Sequence, residues 1–110
     1  MFVVFAAALM MQIPAMSLSC DRMQDVLAIV SAGQTNGPAA RKAAIKAANA
    51  NNPRACAKLS MPVATPLAVI AFAERINEDG TMRVEVVIAA LVGRRMQYII
   101  VPAGSLGPVI

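Results

Sequence analysis

The opening segment limits the possible fates of this chain more than any other feature, because its first 19 residues contain no charged side chain. Residues 1–11 are all apolar, and Gln12 and Pro14 then interrupt the run. An apolar core of about 11 residues suits an export signal, whereas crossing a bilayer takes ~20 residues. Small side chains precede Leu18 and Cys20 at the positions that signal peptidase reads, so the sequence predicts cleavage before one of them.

Two other interpretations of residues 1–19 remain open. In the first, the segment is an uncleaved anchor, because 19 uncharged residues could just cross a thin bilayer. In the second, the segment is a buried helix of the protein core. No Lys or Arg precedes the apolar core, which departs from the usual export signal. An export signal predicts a periplasmic or secreted protein, and an anchor predicts a protein attached to the inner membrane.

The compartment decides how the two cysteines, Cys20 and Cys56, are interpreted. Outside the cytoplasm two cysteines form a disulfide by default, and only one pairing exists. In the chain-entropy model, closing a loop of about 37 residues stabilises a fold by roughly 4 kcal/mol. The competing interpretation is two free buried thiols in a cytosolic protein. A metal site is not expected, because two cysteines without His or a CxxC motif cannot supply four zinc ligands.

The segment between the cysteines has the pattern of two helices. CDRMQDVLAIVSAG is amphipathic, with Asp21 as the predicted N-cap and Gly33 at the end. GQTNG is predicted as a turn, and Pro38 then begins a second, alanine-rich helix that Pro53 stops. A short turn makes the two helices antiparallel neighbours, which brings the cysteines together. We therefore expect a helical hairpin whose open end is closed by the disulfide.

The second half of the chain has the pattern of antiparallel strands. NEDG, residues 77–80, is typical of a hairpin turn, and apolar and polar residues alternate after it. The resulting register places Ile70 and Phe72 on the same face as Val86 and Ile88, and we expect the helices to cover that face. A later turn leads to a third strand, RRMQYIIVP.

The predicted fold class is therefore α+β, with the two-helix hairpin packed on a three-stranded antiparallel meander. A Thr-Pro pair also leaves a helical alternative for residues 66–76, which would reduce the sheet to a two-stranded hairpin. β-Branched and aromatic residues in that segment favour a strand. The predicted organisation is residues 1–19 as the export segment or anchor, 20–102 as a single domain, and 103–110 as a flexible tail.

Positive charge is concentrated in the first half of the chain. Residues 20–60 carry six basic and two acidic side chains, whereas residues 61–110 carry four of each. Lys42, Lys46 and Asn49 form a polar stripe on the second predicted helix, with Arg41 beside it. Such a stripe could contact an anionic lipid surface or an acidic envelope protein. A solvated outer face is the alternative interpretation.

The residue types argue for binding rather than catalysis. The chain has no His, and no nucleophile, base or metal-ligand set is recognisable, so we expect neither an enzyme nor a cofactor. Nucleic-acid binding is not expected, because aromatic residues for base stacking make up only 4% of the chain.

The sequence thus predicts a small exported, non-catalytic protein that binds or modulates another envelope component. A membrane-anchored accessory protein and a secreted inhibitor or toxin-like effector are the alternatives. The free edge of the third predicted strand could also support a weak homodimer.

Overall fold

A computed structural model describes residues 13–50, 52–60 and 65–105 of the chain. The strands, in chain order, are β1 (Leu18–Cys20), β2 (Cys56–Lys58), β3 (Thr65–Ile76), β4 (Met82–Val92) and β5 (Arg95–Pro102). Helix α1 (Met23–Ala48) lies between β1 and β2, and a short 3-10 turn (Ala103–Ser105) follows β5. The strands form one antiparallel sheet in the order β2-β1-β5-β4-β3. Within the described ranges, no helix has the length and apolar character needed to cross a membrane.

The predicted two-helix hairpin on a three-stranded meander is wrong, because the structure has one α-helix and a five-stranded sheet. The three expected strands are present as β3, β4 and β5, and the strand at Thr65–Ile76 excludes the helical alternative for residues 66–76. Strands β1 and β2 were missed because each has only three residues, too few for an alternating pattern to appear. Residues 1–12 of the predicted export segment and 106–110 of the predicted tail lie outside the described ranges.

Helix α1 replaces the expected hairpin because GQTNG does not form a turn between two helices. Gly33 is helical and buried, and only Gly37 leaves the helical conformation, with φ 84° and ψ −168°. Glycine suits this bend because a positive φ is unfavourable for residues with a Cβ atom. Pro38 follows the bend, where its missing N–H leaves no helical hydrogen bond unmade. Gly37 thus divides α1 into a first arm, residues 23–36, and a second arm, residues 38–48.

Asp21 does not cap the helix as predicted. Arg22 occupies the N-cap position, and its side chain makes no capping hydrogen bond. The Asp21 carboxylate instead accepts hydrogen bonds from Gln97 Nε2 at 2.6 Å and Arg95 Nη2 at 3.0 Å, both on β5. Donors that are distant in the sequence therefore bind this carboxylate, and it does not fill the capping role that its position favours.

The turn at residues 77–80 joins β3 to β4, in agreement with the sequence prediction. The Asn77 backbone N–H donates to the Thr81 carbonyl at 2.8 Å, and Gly80 has a φ of 85°. The Thr81 hydroxyl and backbone N–H both donate to the Asp79 carboxylate, at 2.6 and 3.0 Å. These two hydrogen bonds lower the pKa of Asp79 from its usual value, because they favour its ionised form.

Helix α1 covers the face of the sheet opposite to the predicted one. Its buried residues pack with Val87 and Ile100 in a core cluster, the helix-side cluster. Val86 and Ile88, which were expected under the helices, belong to a second cluster on the other face. Sequence alternation could not decide between the faces, because residues 85–90 of β4 are all buried.

Strand β3 also contains irregularities that shift its pattern. The pairing register with β4 changes between Pro66 and Ala68 and again between Val69 and Ala71. The second change places Ile70 with the helix-side cluster, so the prediction that it shares the face of Val86 and Ile88 is wrong. A bulge adds one residue to a strand and thereby reverses which face the following residues occupy.

The disulfide between Cys20 and Cys56 is present, but it joins two strands rather than the ends of two helices. The two residues lie directly opposite each other on β1 and β2, with their Cα atoms 4.1 Å apart. Both are buried. The Asn49 side chain donates to the Cys56 carbonyl at 3.0 Å and accepts from its N–H at 2.8 Å. The disulfide and this amide therefore fix β2 to both β1 and the end of α1.

The predicted dimer edge is occupied within the chain. Strand β5, the third strand of the expected meander, pairs with β4 on one side and with β1 on the other. The outer strands of the sheet are β2 and β3. On β3 the Gln34 side chain of α1 accepts a hydrogen bond from the Glu74 backbone N–H at 3.0 Å, so part of this edge is also satisfied.

Reducing the disulfide is expected to lower the free energy of unfolding by about 4 kcal/mol, because the unfolded chain regains the conformational entropy that the closed loop had removed. Urea denaturation of the oxidised protein, and of the same protein kept reduced, measures the difference with no change of sequence. Equal midpoints for the two forms would contradict this contribution.

Val87→Ala and Phe72→Ala test which face the helix covers. Val87 has no exposed surface and lies in the helix-side cluster, so truncating it is expected to lower the unfolding free energy by about 2 kcal/mol. Phe72 is 61% exposed, so its truncation is expected to change that energy by only about 0.5 kcal/mol. Denaturation of both variants provides the measurement. A larger loss for Phe72→Ala than for Val87→Ala would show that the assignment of faces is wrong.

Candidate functional site

A cavity of about 600 Å³ opens between the segment before β1, the second arm of α1 and the turn after β3. Its charged lining residues are Arg41, Lys42, Lys58, Arg75, Glu78 and Glu85. Apolar walls are contributed by residues that include Pro14, Leu18, Pro38, Ile45, Ile100 and Pro102. The volume falls in the range of about 300–1,000 Å³ that is typical of small-molecule sites. The cavity therefore combines apolar surface with four cations and two anions.

Arg41 and Glu85 form a buried ion pair in the wall of this cavity. Arg41 Nη1 donates to Glu85 Oε1 at 2.7 Å, and Nη2 donates to Oε2 at 2.8 Å. The exposed fraction of the side chain is only 10% for Arg41 and 8% for Glu85. Two parallel charge-assisted hydrogen bonds of this kind fix the orientation of both groups. The pair thereby attaches the second arm of α1 to β4 and neutralises both charges.

The bend at Gly37 explains how Arg41 reaches this position. A Cβ atom added to Gly33 would lie 3.4 Å from Arg41 Cδ, so the Arg41 side chain packs against the first arm. Eight residues of a straight helix would instead separate the two positions by about 12 Å along the axis. The turn of the backbone at Gly37 and the absence of a side chain at Gly33 together make room for the guanidinium between the two arms and the sheet.

Arg75 is the second guanidinium at the cavity, and its environment differs from that of Arg41. Its closest ionic contact is a 3.8 Å approach of Nη1 to Glu85 Oε2, and its side chain is 39% exposed. Its Nε atom is buried and has no hydrogen-bond acceptor among the described residues. Arg83 lies directly opposite on β4, and like charges at such positions disfavour each other. Arg75 therefore retains hydrogen-bonding capacity that Arg41 has already used.

The predicted basic stripe is divided among different roles in the structure. Arg41 is buried in its ion pair, and only Lys42 is an exposed residue of the stripe that lines the cavity. Lys46 is exposed but is not among the residues around the cavity. Asn49, which continues the stripe, is bonded to the backbone of Cys56. A stripe drawn on a straight helix could not anticipate this division, because the bend turns neighbouring positions toward different surroundings.

Four charged residues of the cavity were not selected as site residues from the sequence: Lys58, Arg75, Glu78 and Glu85. They come from β2, β3, the turn after it and β4, and only the fold brings them together. Glu85 offered a usable signal, because a lone carboxylate in the apolar run VEVVIAA requires a cation if it is buried. The sequence could not show that its main partner would be Arg41.

The chemistry available at this site is recognition of negative charge. Guanidinium and ammonium groups donate strong hydrogen bonds to carboxylate and phosphate oxygens. Among the described residues, no group of three His, Cys, Asp or Glu side chains is arranged to hold a metal ion. The arrangement of cations around an apolar cavity is suited to holding an anion that carries an apolar part.

Glu85→Gln is expected to lower the unfolding free energy by about 3 kcal/mol, because it leaves the buried Arg41 without a counter-charge. Replacing both partners, as Arg41→Met with Glu85→Leu, is expected to recover most of that loss, because apolar groups of similar volume have no charge to desolvate. Urea denaturation of the single and double variants measures the coupling. A double variant that is less stable than Glu85→Gln would contradict the pairing.

Comparison of the chain with models of protein families, with curated protein sequences and with solved structures finds no match. The function is therefore inferred from the contacts and charges of the site.

Proposed function

We propose that this protein is a small exported, non-catalytic binding protein that acts on another component of the cell envelope. The observation that carries the proposal is the cavity, in which Lys42, Lys58 and Arg75 accompany the neutralised pair of Arg41 and Glu85. Charged groups that are already in place can recognise an anionic component without a large rearrangement. The proposed location is the periplasm or the extracellular space.

The disulfide supports the proposed location. Disulfides persist in oxidising compartments and are rare where thiols are kept reduced. The bond between Cys20 and Cys56 is fully integrated in the fold, since it links two strands of the sheet and belongs to the helix-side core. Oxidation of this bond therefore stabilises the pairing of β1 with β2, which fits a place outside the cytoplasm.

The position of β1 supports the first of the two predicted cleavage sites, before Leu18, over the second. Cleavage before Cys20 would remove Leu18 and Ser19, which are two of the three residues of β1. It would also remove the buried hydrogen bond from Ser19 Oγ to Gln97 Oε1, at 2.8 Å. Cleavage before Leu18 leaves the strand whole. The proposed mature protein therefore begins at Leu18.

A membrane-anchored accessory protein is the second candidate, and contacts upstream of β1 favour it. Ile13 is 7% exposed and belongs to the second core cluster. The Met16 backbone N–H donates to the Leu59 carbonyl at 2.6 Å, and the Leu59 N–H donates to the Ser17 carbonyl at 2.9 Å. Cleavage before Leu18 would remove these contacts and also residues 14–17, which line the cavity, whereas an uncleaved chain would keep both.

Mass spectrometry and thiol labelling of the protein isolated from producing cells test the proposal. We expect the protein in the envelope or medium fraction, oxidised, with Leu18 as its first residue. A chain that retains its residues before Leu18 in the membrane fraction would support the anchored candidate instead. Reduced thiols in a protein confined to the cytosol would overturn both, and turnover of a peptidoglycan or peptide substrate would overturn the non-catalytic role.

A further inference from the structure

We infer that the cavity is a site for a phosphomonoester carrying an apolar group, with Arg75, Lys42 and Lys58 as its anion-binding residues. This inference rests on the proposed binding function and names the ligand class for it. All three anion-binding residues follow Leu18, so a chain cleaved there keeps them and loses only residues 14–17 from the cavity wall. The bidentate bond to Glu85 makes Arg41 a structural residue of the wall, so the site differs from the Arg41, Lys42 and Lys46 stripe predicted from the sequence.

The charge of the cavity selects the ligand. Arg41 and Glu85 neutralise each other, so Lys42, Lys58 and Arg75 face the single remaining carboxylate of Glu78. The uncompensated charge is therefore about +2, which matches the −1.5 to −2 of a phosphomonoester near pH 7 better than the single charge of one carboxylate. Lys42 and Lys58 are exposed, so neither ammonium is committed to the core.

Arg75 is the residue with the donors to hold such a group. A guanidinium can donate two parallel hydrogen bonds to a phosphate, while each ammonium acts as a point charge. Among the described residues, the one ionic contact of Arg75 is its 3.8 Å approach to Glu85, and its side chain remains 39% exposed. A ligand phosphate would also shield it from Arg83, which lies across the strand pair. Arg75 is thus placed to exchange a weak internal contact for a strong external one.

The apolar lining accounts for the rest of the ligand. Ile45 of α1 and Ile100 of β5 both line the cavity, together with Leu18 and several prolines. Apolar surface of this kind contributes roughly 25 cal/mol for each Å² that a ligand removes from water. An organic phosphate is therefore expected to bind more tightly than inorganic phosphate. A neutral aromatic alcohol is expected to bind more weakly than an aromatic phosphate or an aromatic carboxylate, because it lacks the negative charge.

Titration of the oxidised full chain with phenyl phosphate, followed by amide chemical shifts in NMR spectra, tests the inference. We expect saturable shifts at Lys58, Arg75 and Asn77, with weaker binding of inorganic phosphate, benzoate and benzyl alcohol. No saturable shift with phenyl phosphate, or equal binding of benzoate, would overturn the assignment.

Four variants separate the site from general electrostatic attraction. Arg75→Gln is expected to weaken phenyl phosphate binding by about tenfold or more, the loss typical of one charge-assisted hydrogen-bond donor. Glu78→Gln is expected to tighten binding by about threefold, because it removes the remaining anion at the cavity. Arg94→Gln and Lys46→Gln remove the same charge as Arg75→Gln at exposed positions outside the cavity, and neither is expected to change affinity. Equal losses in Arg75→Gln and Arg94→Gln would overturn the inference.

A negative result in this titration can be distinguished from a failure of the proposed envelope function. A protein recovered oxidised from the envelope that does not bind phenyl phosphate would contradict the ligand class alone. A reduced cytosolic protein would contradict the envelope role, whatever it binds in solution.

Discussion

The buried pair of Arg41 and Glu85 connects the two halves of this structure. One partner comes from the alanine-rich second arm of α1, and the other from the central part of β4. Because both side chains are nine-tenths buried, each requires the other, and the arm cannot leave the sheet without exposing or isolating a charge. The bend at Gly37 and the absence of a side chain at Gly33 make room for this pair, which forms part of the cavity wall.

The same pair gives the neighbouring cations their chemical character. An Arg that is bonded twice to a carboxylate has its charge satisfied, whereas the nearby Arg75 makes only a longer contact with the same Glu85. Two arginines that a sequence cannot distinguish therefore have different roles, one in holding the fold and one in facing the cavity. The proposed anion site follows from this difference and from the placement of Lys42 and Lys58 around the same space.

The disulfide acts at the other end of the sheet. Strands β1 and β2 have three residues each, which is too few to add much pairing energy by themselves. The covalent link between Cys20 and Cys56, the Asn49 amide and the bonds from β5 to Asp21 compensate for that shortness. Leu18 of β1 and Lys58 of β2 lie opposite each other and both line the cavity, so the disulfide also supports the proposed site.

The sequence by itself determined the features that depend on local chemistry. The cysteine pair, the turn at residues 77–80 and the three long strands follow from spacing, turn residues and alternation. Tertiary structure alone decided the face that α1 covers, the two short strands and the partners of Asp21, Arg41 and Arg75. The physical reason is that β4 is buried on both faces and that a charge finds its partner through space. Neither the choice of a face nor a contact between distant residues produces a periodic pattern in the sequence.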